Sequence, residues 1–115
     1  MSRPAWLDVD CGGYLGKDPE LRTTTKGSSV TNISIAIPLY YNKETVTEWM
    51  HAALFGQLAE FCCKYAKKGD LVRVTGMLLT KTFQSRGEEK SITEVQADSF
   101  KILKRKNEAV EEDEL

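Results

Sequence analysis

Five aromatic residues and several cations stand at spacings that would gather them on one surface of this chain. If Glu48 to Phe55 is extended, Trp49, His51, Ala53 and Phe55 share one face and Met50, Ala52 and Leu54 the other. In the same way Arg73, Lys81 and Phe83 share a parity within Leu71 to Phe83, while Tyr40 and Tyr41 precede the Trp49 segment. Exposed rings in a cluster mark a contact surface. Rings interleaved with cations suit a single-stranded nucleic acid. Each base offers a π-face whose stacking is worth roughly 1–3 kcal/mol, and lysine and arginine follow the phosphates.

These residues need strands to hold them, and the alternation supplies five. Trp6 to Leu15 reads as a strand with Leu7, Val9, Cys11 and Gly13 on one face. Val30 to Leu39 places Ile33, Ile35, Ile37 and Leu39 together, with Pro38 confined to an edge or bulge because it has no N–H for a ladder. A polar connection over Tyr40 to Thr47 leads to the third strand, Glu48 to Phe55. Gln57 to Lys68 reads as a helix, with Leu58, Phe61, Cys62 and Tyr65 on its apolar stripe and Gly69 as its stop. Leu71 to Phe83 is the fourth strand and Gln84 to Lys90 a charged loop. Ser91 to Leu103 is the fifth, with a change of apolar parity that predicts a bulge near Asp98. Five strands with one helix after the third give an all-β class, an OB-fold five-stranded β-barrel over residues 1–104, followed by a short acidic tail over 105–115.

At 115 residues there is room for one domain, and 41% apolar with 29% charged residues is the balance of a folded globular chain. No apolar run approaches a membrane span and Met1 to Asp10 shows no signal peptide, so the expected address is cytoplasmic. Residues 1–106 carry all 16 Lys and Arg against 12 acids, while 107–115 hold five acids and no base. That mild basicity permits a polyanion as partner without requiring one. Cys11, Cys62 and Cys63 fit neither a disulfide framework nor zinc spacing and read as small buried hydrophobes. With one histidine, no phosphate-cradling glycine loop and no nucleophile with a partner at a recognisable spacing, no enzyme and no cofactor or metal is expected.

Each residue of the aromatic set also has a plainer reading. Trp49 fits a second core layer or an oligomer contact, Phe55 and Phe83 a cover for a barrel mouth, and either tyrosine a hairpin brace. Lys64, Lys67 and Lys68 suit the end of a helix dipole, and His51 an ordinary polar surface. On their own these residues define a basic, aromatic barrel surface.

Several linked motifs resemble the bacterial-type single-stranded DNA-binding proteins. They are Gly16-Lys17-Asp18-Pro19-Glu20-Leu21-Arg22, Thr47-Glu48-Trp49, Leu54 to Glu60, Tyr65 to Val72, Val74-Thr75-Gly76-Met77-Leu78 and Thr93-Glu94-Val95, spread over about residues 7 to 104. The resemblance implies base stacking on Trp49, Phe55, Tyr41 and Phe83. It also implies a homo-oligomer, usually a tetramer with a dimer as the other arrangement, without cofactor or catalysis. With it the binding set is Tyr41, Lys43, Trp49, His51, Phe55, Lys68, Arg73, Lys81, Phe83 and Arg86. Basic residues are common in the family where this chain has His51 and Leu79, so fewer phosphate contacts are expected. Asp8, Asp10 and Gly12 fall in the strand that helps to pair subunits in the family. Members usually end in a glycine- and proline-rich linker and an acidic tip that recruits replication and repair proteins. Here Lys106 leads almost directly to Glu111, Glu112, Asp113, Glu114 and Leu115, which suggests a short phage- or plasmid-type member. A primosome-type OB adaptor is the alternative, and the retained aromatic set argues against it.

Overall fold

The structure, a computed structural model, describes residues 5–106. Its strands are β1 (Asp8–Leu15), β2 (Arg22–Thr23), β3 (Ser29–Tyr41), β4 (Glu44–Phe55), β5 (Leu71–Ser85) and β6 (Glu88–Lys104), with helix α1 (Gln57–Tyr65) after β4. β1 pairs antiparallel with β5 and, at Tyr14 and Leu15, with β3. The ring β1-β5-β6-β4-β3 therefore closes on itself, with β2 as a short edge added to β3. The β4–β6 pair that completes it is parallel, Ala52 facing Val95 and Ala53 facing Gln96. This is the five-stranded OB barrel expected from the element order.

The pleat sends Ile33, Ile35, Ala52, Leu54, Val72, Val74 and Val95 inward, where all are buried with Leu15 and Phe100. The α1 face that meets this core is Ala59, Cys62 and the following Ala66. Phe61 and Tyr65, expected on that stripe, are instead exposed and lie at its rim. Their rings are 5.0 Å apart, and Phe61 meets Phe100 edge-on at 6.4 Å. Small residues let the helix approach closely, and the large rings are pushed sideways.

Four boundaries differ from the sequence reading. Trp6 and Leu7 lie outside β1 and are exposed, because β1 pairs with β5 only from Asp8 onward. The helix stops at Tyr65 rather than Lys68. Ala66 is extended, and carboxylates take over the next amides: Asp70 Oδ2 accepts from Lys67 N at 2.9 Å and Asp18 Oδ1 from Lys68 N at 2.7 Å. The connection over Tyr40 to Thr47 is itself strand, closed by a two-residue turn at Asn42 and Lys43. Likewise Gln84 to Lys90 is strand around a turn at Arg86 and Gly87. All four turn residues have positive φ (55°, 66°, 54° and 80°), the geometry that matches strand twist in tight hairpins. The two hairpins thus run on past the barrel as exposed ribbons.

Two expectations hold in detail. Pairing shifts between Thr75 opposite Ser99 and Gly76 opposite Ala97, which leaves Asp98 as the extra residue of a bulge. Pro38 faces Thr47 of β4 on one side, and the β1 pairing of β3 has ended at Ala36, so its missing N–H breaks no ladder. Of the cysteines, only Cys62 is buried; Cys11 and Cys63 are half-buried, and all three are free thiols. Among the described residues no helix is long and apolar enough to cross a membrane.

Candidate nucleic-acid interface

Register fixes which outward side chains are neighbours, since residues paired across a ladder share a face. On β4 the outward set is Trp49, His51, Ala53 and Phe55, as the alternation predicts. Ala53 pairs with Gln96, so the same face continues onto β6 through Glu94 and Ile92, and onto β5 through Leu79, Lys81 and Phe83, whose partners are Glu94, Ile92 and Lys90. Trp49 is 55% exposed, and Phe55 and Phe83 are exposed as well. The plain reading of Trp49 as a second core layer is therefore not what this chain shows.

The Trp49 ring still has a seat. A Cβ added at Gly16 would lie 2.8 Å from Trp49 Cζ3 and 3.0 Å from Ser34 Oγ, so the indole rests where Gly16 leaves room. The loop carrying Gly16 is tied down on several sides: Gly16 N donates to Ser34 O at 2.9 Å, Gly69 N to Leu15 O at 2.9 Å, and Thr31 Oγ1 to Glu20 O at 2.8 Å. The Gly16–Arg22 motif is thus the frame that holds the tryptophan against the barrel. Asp18, within that motif, also fixes the backbone of Lys68.

At the hairpin ends, Tyr40 and Tyr41 are exposed beside Lys43, and Arg86 caps the other ribbon. By parity Tyr40, with Ser34 and Ala36, lies on the face of Trp49, whereas Tyr41 lies on the opposite face of the ribbon. The signal that would have favoured Tyr40 was the alternation from Asn32 through Ala36, interrupted to the eye by Pro38.

Two of the expected phosphate contacts are already engaged. Arg73 donates from Nε to Asp10 Oδ1 at 2.8 Å and from the guanidinium to Asp10 Oδ2 at 2.5 Å, a fork across the β1–β5 ladder. Hydrogen bonding to Arg73, with its charge, holds the Asp10 carboxyl below the ordinary carboxylate range. Arg73 neighbours Gly12 of β1 and Lys101 of β6, not the residues of β4. Lys81 Nζ lies 2.8 Å from Glu94 Oε1, and Glu94 is only 7% exposed. Sequence reasoning missed Glu94 as a member of this face, because an acid in a Thr-Glu-Val strand reads as an ordinary outward polar residue. It lines a cleft of about 270 Å³ on the same face, with Lys17, Asn32, Ser34, His51 and Ile92. Among the described residues no group of three or more His, Cys, Asp or Glu is placed to hold a metal ion. Glu111, Glu112, Asp113, Glu114 and Leu115 lie outside the described residues.

A closed OB barrel with one exposed aromatic and basic face is an architecture used for oligonucleotides and oligosaccharides. Residues 11–103 match the single-strand binding protein family, and the chain belongs to that family. It is 35% identical over 98 residues to single-stranded DNA-binding protein 1 of Chlorobaculum tepidum, covering 79% of this chain and 60% of that one. It is 34% identical over 95 residues to single-stranded DNA-binding protein 1 of Lactococcus lactis, covering 79% and 63%. The chain thus spans about three-fifths of the length of these relatives.

Proposed function

We propose that this chain binds and protects single-stranded DNA through a barrel face that stacks bases and neutralises phosphates largely without regard to sequence. The observation that carries this is the continuous outward face of β4, β5 and β6, where Trp49, Phe55 and Phe83 are exposed together with Lys81 on a barrel whose core is otherwise complete. A ring left in water on a well-packed domain is stabilised only when something covers it, and a base does so from either side. Trp49, Phe55 and Phe83 are the stacking surfaces, extended by Tyr40 or Tyr41. Lys43, Lys68 and Arg86 are the available cations, while Arg73 and Lys81 are held by Asp10 and Glu94 and reach phosphate only when those carboxylates are neutralised. The relatives' names, which specify single-stranded DNA, support the same reading. Such a module serves replication, recombination and repair in the cytoplasm, on the nucleoid. It works as a homotetramer or dimer, with residues 1–104 as the DNA-binding domain and the acidic residues 111–115 as a partner-binding tail.

The test is a fluorescence titration with poly(dT) on a Trp6→Phe background, so that Trp49 is the only indole reporting. Quenching that saturates with single strand and is absent with duplex supports the reading. No quenching, or equal affinity for duplex and single strand, rejects it.

A further inference from the structure

A carboxylate buried in the middle of a surface meant for a polyanion calls for an explanation. Glu94 is that group: it stands on the outward face between β5 and β4, and it is 7% exposed. One oxygen, Oε1, receives Lys81 at 2.8 Å; no buried side-chain oxygen among the described residues lacks a partner, so the carboxylate can take a further donor only through the edge that opens into the cleft. The cleft it lines has Ile92 as an apolar wall, His51 on β4, and Lys17, Asn32 and Ser34 as donors. The Ser34 hydroxyl also lies beside the seat of the Trp49 ring, so the cleft and the stacking surface adjoin.

The chemistry of that lining selects its occupant. Glu94 disfavours a phosphate, and a second aromatic side chain would offer its carboxylate no donor beyond the one Lys81 already supplies. Among the pyrimidines, a ring with an amino group at one end of its Watson–Crick edge and a carbonyl at the other satisfies both sides. Carboxylates accept from the exocyclic amino group of cytosine, while the ring O2 can take a donor. Resting on the DNA-binding reading above, we propose that this cleft is a base-edge pocket: Glu94 accepts from the N4 amino group of one cytosine per barrel while Lys17, Asn32 or Ser34 donates to O2. Uracil and thymine present O4, a carbonyl, at the position of the amino group, and answer the carboxylate only by sliding along the edge to offer N3–H, which takes O2 away from its donors. Binding therefore carries a preference for cytosine at one position, laid over stacking that accepts any base.

The experiment compares oligo(dC) with oligo(dU) of equal length, two pyrimidines that differ on the Watson–Crick edge and share their ring size and lack of a methyl group. The wild-type chain is expected to bind oligo(dC) at least about fivefold more tightly, the low end of what one base-edge contact discriminates. Glu94→Gln is expected to abolish that ratio while holding or raising affinity for oligo(dU), because Lys81 is released to phosphate. The ligand comparison within the wild type needs no variant to fold. Equal binding of the two oligonucleotides by wild type, or a ratio unchanged in a folded Glu94→Gln protein, overturns the pocket and leaves the stacking reading standing. Loss of all single-strand binding in the wild type would instead reject the reading beneath it.

Discussion

Replacing Asp10 by asparagine measures how many of the cations on this barrel are available to DNA. Five were assigned to phosphate from the sequence: Lys43, Lys68, Arg73, Lys81 and Arg86. Two of them already hold carboxylates, Arg73 through its fork to Asp10 and Lys81 through Glu94. On single strands each neutralised phosphate contributes about −0.7 to the slope of log affinity against log salt. Three available cations give a slope of about −2 per barrel, and five would give about −3.5. Asp10→Asn keeps the size of the side chain and removes its charge, so Arg73 becomes able to meet a phosphate. The slope should then steepen by about 0.7, with higher affinity at low salt and convergence at high salt. The assay is Trp49 quenching by a short oligo(dT) at a series of salt concentrations. Acidification is not an alternative route to the same state. Because Asp10 titrates below its ordinary value, the ion pair is complete above that value and is lost only as pH falls through the lowered one, so mild acid leaves it intact. A wild-type slope near −3.5 would show that the carboxylates do not hold the cations back. An unchanged slope in Asp10→Asn would show that Arg73 lies off the path of the strand.

Two further outcomes are expected. Lys43→Gly removes a side chain held at φ 66°, which should stabilise the fold by up to about 1 kcal/mol in chemical denaturation while making the salt slope shallower by about 0.7; lower stability would mean that Lys43 is not strained. Burial pushes the Cys62 thiol up to about 12, so the folded state is favoured by its protonation below the ordinary thiol value of about 9, and that advantage is lost as pH rises towards 12. Alkaline unfolding should accordingly move to higher pH in Cys62→Ala relative to its own neutral stability, and in the native protein a thiol reagent at pH 8 should label Cys63 well before Cys62.

What could be read from the chain, and what could not, follows from the range of the interactions involved. The inward set from Ile33 to Val95 and the outward Trp49, His51 and Phe55 were legible because alternation is a property of each strand by itself. The bulge at Asp98 was legible for the same reason, as a break in that alternation. The hairpins over Tyr40 to Thr47 and Gln84 to Lys90 were not. Past the barrel both faces are wet, so no apolar pattern marks the strand, and Asn42-Lys43 lacks the glycine that usually announces such a turn. Capture of Arg73 by Asp10 depends on the β1–β5 register, across 63 residues of sequence, and no local pattern encodes it. The burial of Glu94 likewise appears only when β4, β5 and β6 are laid side by side. Motif resemblance located the face; the register decided which of its charges are already spoken for.

The two ribbons that leave the barrel also carry a kinetic consequence. From Pro38 to Thr45 every side chain is exposed, and so is every one from Leu79 to Gln84. Beyond the barrel each ribbon is held by its own ladder, and a two-stranded ribbon is marginally stable in water by itself. Its amides should exchange with solvent through local openings far cheaper than global unfolding. On the DNA-binding reading, a strand on this face would meet a packed barrel floor flanked by two ribbons that their own ladders hold.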